Sequence, residues 1–255
     1  MGRTDHLRLA MVAVACLATV APGAWAGRKP DPAPFQVDAD SLSKRYRRMA
    51  VSCVNTIGGL HVVVPDDSTT RFASGLATKL AGAGWSIVPA DSVLSLWHGV
   101  ALQEGGIFDP RTGRRDSTRV RRVTARTSQT LRDSLQADLW LHYGLVVVSA
   151  DYDDGMAEWD GVKCNVGAQG FIATLLTGFQ SGTIPALSLE VEIHDLDGRL
   201  LYARRGGLVS VNHMIKDRWV PVPTDTLRSS AVREPALTRA LTPWLDRVRP
   251  VTISE

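Results

Sequence analysis

Hydrophobic and polar side chains alternate most regularly on either side of residues 195–198. The apolar positions that alternate with polar ones before this point are Leu187, Leu189, Val191 and Ile193, and a second apolar run covers residues 200–203. Because successive side chains of a strand point to opposite faces of a sheet, the pattern predicts two strands. Asp197-Gly198 can supply the positive φ angles of a tight turn, so we expect an antiparallel hairpin here.

Shorter apolar runs predict further strands, and turn residues separate them. The runs cover residues 49–54, 61–64, 85–89 and 139–148. A turn over 151–155 and a return strand over 158–166 come next, and residues 167–182 form a glycine-rich connection into the hairpin. After Val211 comes a polar stretch with Pro221 and Pro223, which precedes the last helix.

Apolar residues at three-to-four spacing predict amphipathic helices. The first begins near Asp66 or Ser68, ends at Gly82 or Gly84, and places Phe72, Leu76, Ala77 and Leu80 on one face. A brief helix follows Asp91, residues 99–116 are a loop, and a long helix covers 117–136. The last helix starts near Pro235, and we expect Pro243 to kink or restart it because proline lacks a backbone donor.

Together these elements predict a mixed α/β (α+β) fold, in which amphipathic helices cover a largely antiparallel sheet. No repeat or long linker divides the chain after residue 45. We therefore expect a single domain over residues 45–250, preceded by a flexible, proline-containing leader over 27–44.

Residues 1–26 have the organisation of a secretory signal. Two arginines precede an apolar core over 9–20, and Ala24-Trp25-Ala26 forms a small-x-small cleavage site. A lipoprotein signal with Cys16 as the lipidated residue is the alternative, although the chain stays apolar after that cysteine. We expect an exported protein, periplasmic or associated with the outer membrane, with no transmembrane helix once the signal is removed.

Charge and cysteine content limit the remaining possibilities. Removing the signal with Arg3, Arg8 and Asp5 would leave 27 basic and 25 acidic residues of the chain's 29 and 26, so we expect no nucleic-acid partner. Cys53 and Cys164 would meet an oxidising compartment, where they are either a disulfide or two buried thiols. Their spacing matches neither a zinc site nor a redox pair.

No catalytic or metal-binding motif is evident, and we expect no metal and no cofactor. A nucleophile elbow, a phosphate-binding loop and paired metal-binding histidines are all absent from the sequence. The acidic turn around Asp153 lacks the spacing of a calcium loop and is typical of a solvated hairpin. The alternative that remains open is a hydrolase whose site is assembled across the sheet from Asp153, His142 and His194.

Two segments are candidate binding surfaces. The first is a dense cluster of arginines, whose guanidinium forks suit carboxylates and phosphates. It could bind an anionic envelope surface, or it could be only a solvated loop and helix start. Its members are Arg111, Arg114, Arg115, Arg119, Arg122 and Arg126. Residues 170–179 form an apolar run that contacts a membrane or a partner, or else is a buried connector; its large side chains are Phe171, Leu175, Leu176 and Phe179.

Three stretches together resemble a group of cell-envelope proteins: LATKLAGAGWSIVPADSVL, SQTLRDSLQADLWLHYGLVVV and SLEVEIHDLDGRLLYARRGG. The group comprises the TolB amino-terminal domain, the curli-secretion lipoprotein and the outer-membrane lipoprotein activator of penicillin-binding proteins. The resemblance covers roughly residues 60–210 and transfers no catalytic residue. The chain departs from the group in lacking a proper lipobox and in carrying the arginine-rich insert at 99–122.

The resemblance implies an α/β scaffold that binds other envelope components. We therefore predict an exported, non-enzymatic envelope accessory protein whose partner is an envelope protein or an anionic envelope surface. The alternatives are the hydrolase above and a subunit of an oligomeric envelope assembly or pore, which would use residues 170–179.

Overall fold

The structure is a computed structural model and describes residues 33–42, 45–53, 67–167, 181–215 and 218–250. Short 3-10 helices lie at Ala39–Ser41 and Thr224–Arg228. The strands are β1 (Arg48–Cys53), β2 (Ser86–Val88), β3 (Leu139–Asp153), β4 (Met156–Trp159), β5 (Val162–Asn165), β6 (Ser181–Asp195), β7 (Leu200–Ser210), β8 (Asn212–Ile215) and β9 (Arg218–Pro221). The helices are α1 (Ser68–Gly82), α2 (Ala90–Gln103), α3 (Ser117–Asp133) and α4 (Ser230–Arg247).

A seven-stranded sheet is built around β3, which pairs with three other strands. On one side β3 pairs antiparallel with β6 from end to end, and β6 pairs antiparallel with β7. On the other side its first residues pair in parallel with β1, and its last three pair antiparallel with β4. The mixed, mostly antiparallel sheet and the single compact domain that the sequence predicts are confirmed.

Alternate strand residues face two different helical layers. One face lies under α1 and α4, and its fully buried side chains include Met49, Leu141 and Ile193. The opposite face lies under α2 and α3 near the start of β3, where Ala50 and Trp140 are buried. Near the start of β3, successive strand residues are therefore buried on both faces of the sheet, rather than alternating between one core and solvent. Among the described residues, no helix has the length and apolar character required to cross a bilayer.

Helix α4 lies directly against β7 because two backbone segments approach closely at Gly206. A Cβ atom added to Gly206 would lie 2.1 Å from the carbonyl oxygen of Ala236. Leu237, Ala240 and Leu241 are fully buried in the same contact. Glycine is the residue that permits such an approach.

The organising hairpin is confirmed as β6 and β7, but its turn differs from the prediction in one respect. Gly198 has a φ of 87°, whereas Asp197 is not left-handed. The carboxylate of Asp195 holds the turn instead, because its Oδ1 accepts hydrogen bonds from the backbone N–H groups of Asp197 and Arg199 at 3.1 and 2.8 Å.

The predicted return strand over 158–166 is two strands. Asp160 and Gly161 have φ angles of 36° and 77°, and they reverse the chain between β4 and β5. The turn then reaches across to β7, where the Gly207 N–H donates to the Asp160 carbonyl at 3.0 Å. The β4–β5 hairpin thereby closes over the end of the sheet that α2 and α3 do not cover.

Two other segments carry more regular structure than the sequence predicts. Helix α2 continues through Gly99 to Gln103, because Val100 and Ala101 bury against Val123 of α3. The polar stretch after Val211 forms the two-stranded hairpin β8–β9. Pro243 lies inside α4, which is helical on both sides of it.

Part of the predicted flexible leader is packed on the sheet. Residues 34–36 pair with the outer edge of β7, and Ala39 and Leu42 are buried. These residues of the predicted leader pack on the sheet because the Phe35 ring contacts Tyr202 and Trp244. The predicted signal, the strand at 61–64 and the apolar run at 170–179 lie outside the described residues.

Candidate functional site

The arginine-rich segment forms a hairpin between α2 and α3, which we call the basic hairpin (residues 107–116). Phe108 and Arg115 form an antiparallel bridge, and the Asp109 N–H donates to the Arg114 carbonyl at 2.8 Å. At the tip, Asp109 Oδ1 accepts from the Arg111 N–H at 2.8 Å. Because directly opposed residues of such a bridge project from the same face, Phe108 and Arg115 lie on one side of the basic hairpin.

Asp116 and Arg119 fix the base of the basic hairpin. Asp116 is the N-cap of α3, and its Oδ1 accepts from the N–H groups of Thr118 and Arg119 at 2.9 and 3.1 Å. These backbone hydrogen bonds, that of Arg119 first, lower the pKa of the Asp116 carboxyl. The Arg119 guanidinium donates to the Gly105 carbonyl at 2.9 Å. Arg119 is thus a structural member of the predicted cluster.

Arg122 and Arg126 share one carboxylate, that of Glu104 at the end of α2. The Arg126 Nη1–Glu104 Oε1 distance is 2.5 Å and the Arg122 Nε–Glu104 Oε2 distance is 3.6 Å. The hydrogen bond from Arg126 holds the pKa of the Glu104 carboxyl below its usual value. Because two cations meet one anion, this contact joins α2 to α3 and still leaves excess positive charge.

The other three predicted arginines, Arg111, Arg114 and Arg115, are exposed. No carboxylate of the described residues pairs with their side chains. Large apolar side chains are exposed in the same stretch of chain: Leu94 is 51%, Leu102 80% and Phe108 55% accessible. We call these six side chains the basic-apolar surface. The sequence identified its arginines, whereas its apolar members were not predicted.

A second group of polar side chains lies on the sheet face that α2 and α3 partly cover. Strand register brings it together, because Ser52 of β1 pairs with His142 of β3, which in turn pairs with Glu192 of β6. The Ser52 hydroxyl lies 2.9 Å from His142 Nδ1, and Trp140 Nε1–H donates to Ser52 Oγ at 2.8 Å. His194 Nε2 lies 3.2 Å from Glu192 Oε2.

The two histidines of this cluster have pKa values shifted in opposite directions. Burial, and then the nearby His194, lower the pKa of His142 to about 4. The hydrogen bond to Glu192 raises the pKa of His194 and lowers that of the Glu192 carboxyl. At neutral pH His142 is therefore uncharged, and the imidazole tautomer decides whether its Nδ1 donates to the Ser52 hydroxyl or accepts from it.

The hydrolase site predicted from Asp153, His142 and His194 is only partly assembled. The imidazole rings of His142 and His194 are 5.3 Å apart. Asp153 lies eleven positions further along β3, about 36 Å away at the rise of an extended strand, so it takes no part. Ser52, which no sequence pattern singles out, supplies the hydroxyl. Within the described residues, no three His, Cys, Asp or Glu side chains form a metal-binding group.

The predicted disulfide between Cys53 and Cys164 is not present, and both are free thiols. Cys53 pairs with Tyr143 near the start of β3, whereas Cys164 pairs with Ala157, which lies beside Tyr152. The nine-residue offset along β3 corresponds to about 30 Å, whereas a disulfide requires Cα atoms within roughly 7 Å. Burial raises the pKa of both thiols.

The apolar candidates Phe171, Leu175, Leu176 and Phe179 lie outside the described residues, so their predicted role stays a prediction. The sequence was also compared with protein-family models and with curated proteins, and neither comparison found a match. The resemblance to the envelope group likewise stays a prediction.

Proposed function

We propose that this protein is an exported, non-enzymatic envelope protein that docks on anionic lipid through its basic-apolar surface. The observation that carries the proposal is that three exposed arginines without carboxylate partners among the described residues and three exposed apolar side chains all occur within residues 94–115. Export is supported by the signal-like sequence of residues 1–26. The resemblance to envelope scaffolds agrees with a binding role.

The apolar members favour a lipid surface over a soluble polyanion. Arginines alone suit any phosphate- or carboxylate-rich polymer. Leu102 and Phe108 gain nothing from such a polymer, whereas at a bilayer interface their side chains enter the headgroup region and leave water. Because Phe108 and Arg115 are opposed in the bridge, the basic hairpin presents an apolar and a cationic group on the same face.

The expected binding strength is moderate. Each arginine near an anionic membrane contributes about 1 kcal/mol, so Arg111, Arg114 and Arg115 together contribute about 3 kcal/mol, or about 100-fold in affinity. The fixed base of the hairpin, held by Asp116 and Arg119, reduces the ordering cost of docking.

Vesicle cosedimentation of the purified full chain tests the proposal. The vesicles are phosphatidylcholine with or without phosphatidylglycerol, and the variant is Arg111→Gln/Arg114→Gln/Arg115→Gln. We expect binding only with phosphatidylglycerol, a loss of about 100-fold in the variant, and weakening with added salt. A matched control removes the same charge from exposed arginines elsewhere: Arg45→Gln/Arg199→Gln/Arg249→Gln.

A second pair of variants separates lipid from other anions. Leu102→Ser/Phe108→Ser leaves the charge intact and should weaken vesicle binding several-fold. If this variant binds as the unaltered protein does, the surface recognises charge alone and the lipid assignment is wrong. If the two triple-arginine variants lose binding equally, the basic hairpin is not the docking element. Amino-terminal sequencing of the cellular protein tests export, with Gly27 expected first.

The Ser52–His142 hydrogen bond favours a second function, ester hydrolysis. In this reaction Ser52 Oγ attacks an ester carbonyl while its proton passes to His142 Nδ1. His142 then gives that proton to the departing alkoxide, and water releases the acid from the acyl-serine. A serine–histidine contact of 2.9 Å is the geometry that this step requires.

Fluorophosphonate labelling of the full chain distinguishes this function from binding. Hydrolysis is supported if the protein is labelled, if Ser52→Ala abolishes the label, and if Ser86→Ala, at an exposed serine, leaves it unchanged. Absence of label from Ser52 in the folded protein would exclude Ser52 as a nucleophile.

A further inference from the structure

The outer edge of β7 already holds a short extended segment, residues 34–36. Phe35 and Tyr202 form an antiparallel bridge. The Gln36 N–H donates to the Leu201 carbonyl at 3.0 Å, and the Ala203 N–H donates to the Pro34 carbonyl at 2.9 Å. Through these two hydrogen bonds, the edge of β7 pairs with an extended segment by main-chain groups, as in strand addition.

A niche for one aromatic ring lies beside this edge. The Phe35 ring contacts Tyr202 edge-on at 5.2 Å and stacks on Trp244 of α4 at 6.1 Å. The Arg247 guanidinium lies 5.8 Å from the centre of the Phe35 ring. β7 and α4 build this niche independently of Phe35, since Tyr202 and Trp244 also contact each other at 5.6 Å.

Residues 34–36 are held less firmly than the residues that follow them. Phe35 remains partly exposed in its niche, whereas Ala39 and Leu42 are buried at 6% and 4% accessibility. Within the part of the chain that the structure describes, two backbone hydrogen bonds join the segment to β7. The segment can therefore leave β7 from its amino-terminal end while residues 39–42 keep their contacts.

We infer that the edge of β7 is a peptide-binding site for an extended partner segment with an aromatic residue after proline, and that Pro34–Gln36 occupies this site within the chain. The partner's main chain forms hydrogen bonds with the Leu201 carbonyl and the Ala203 N–H. Its aromatic ring packs in the niche between Tyr202 and Trp244. Proline suits the position before the ring, because Pro34 uses only its carbonyl. The site is separate from the basic hairpin.

The test is direct binding of a fluorescent peptide with the sequence of residues 31–37 to the full chain. The Phe35→Ala variant empties the niche and deprives the competing segment of its ring contacts, so we expect it to bind the peptide at least tenfold more tightly than the unaltered protein. A peptide whose phenylalanine is alanine should not bind. Peptide carrying benzoylphenylalanine in place of its phenylalanine should crosslink to β7 or to the end of α4.

A second variant keeps the test decisive if Phe35→Ala does not fold. Gln36→Pro removes the N–H that donates to Leu201 and leaves Phe35 in place, so it too should raise peptide affinity over the unaltered protein. Circular dichroism and thermal unfolding establish that each variant is folded. A folded variant that fails to capture the peptide overturns the inference, as does equal binding by the variants and the unaltered protein.

Discussion

Replacing Gly206 with alanine tests the contact on which the packing of α4 depends. The new Cβ would lie 2.1 Å from the Ala236 carbonyl oxygen and 2.9 Å from its carbonyl carbon. Atoms in favourable contact lie about 3.5 Å apart, so α4 must retreat from β7 by roughly 1 Å or more. Both contacting atoms belong to backbone, so no side-chain rotation relieves the clash.

The loss of stability arises because moving α4 away from β7 loosens the packing between them. Leu237 and Leu241 are fully buried between α4 and the sheet, and moving the helix loosens both. Overpacking of this kind costs about 3 kcal/mol. With a urea dependence of about 2 kcal/mol per molar, the midpoint of unfolding should fall by about 1.5 M. Equilibrium urea unfolding followed by circular dichroism measures the shift.

Gly99→Ala is the matched control, because it adds the same methyl group at a site with no atom within 4 Å. Gly99 lies inside α2, where alanine is favoured over glycine by about 0.5–1 kcal/mol, so this variant should be more stable than the unaltered protein. A midpoint for Gly206→Ala within experimental error of the unaltered protein would refute the close approach of α4 to β7. A destabilised Gly99→Ala would contradict a continuous α2.

Three further predictions concern single side chains. Tyr202→Phe removes the hydrogen bond from the buried hydroxyl to the Ala240 carbonyl and should lower the free energy of unfolding by about 1 kcal/mol, measured by urea titration. Asp116→Ala removes the acceptor of the first-turn amides of α3, so these amides should exchange faster by NMR, whereas Asp116→Asn should protect them. Because the pKa of His142 is lowered to about 4, the unfolded chain binds a proton there before the folded one does as pH falls below 6.5. Stability should therefore decline between pH 6.5 and 5 by about 2 kcal/mol from this residue, and His142→Gln should abolish that part of the decline; an unchanged slope would contradict the shift.

The parts of the fold that the sequence predicts correctly are those with a local cause. The alternation that ends at Asp195 and resumes at Leu200 defines β6 and β7, since strand period and turn lie within one short segment. The burial of Phe72, Leu76 and Leu80 in α1 likewise follows from helical spacing alone. These elements would be recognisable in any fold.

The errors come from contacts between distant segments. Gly99 suggests a helix end, but burial of neighbouring side chains against α3 outweighs the modest cost of one glycine. The turn at Asp160-Gly161 does have a local signal, because that dipeptide favours hairpin turns, and it divides the single strand predicted over 158–166. The packing of Phe35 had no local signal, since its niche is built by residues more than 160 positions away.

The candidate sites show the same division. The density of arginines is visible in the sequence. The structural role that distinguishes Arg119 from Arg111 is not, because it depends on the position of the Gly105 carbonyl in the folded chain. Ser52 attracts no attention in the sequence, because its partner His142 is ninety residues away and the parallel register of β1 and β3 places them together. Register between distant strands is the property that a single sequence does not reveal.

Charge state at neutral pH favours the binding function over hydrolysis. Arg111, Arg114 and Arg115 are cations under all physiological conditions and need no rearrangement to meet a phosphate. A general base works best when its pKa lies near the working pH, whereas the pKa of His142 is about 4. Trp140 also draws electron density from the Ser52 oxygen by donating to it. Hydrolysis would therefore require the substrate to raise the pKa of His142 and displace the indole, while docking uses the protein as it is already folded.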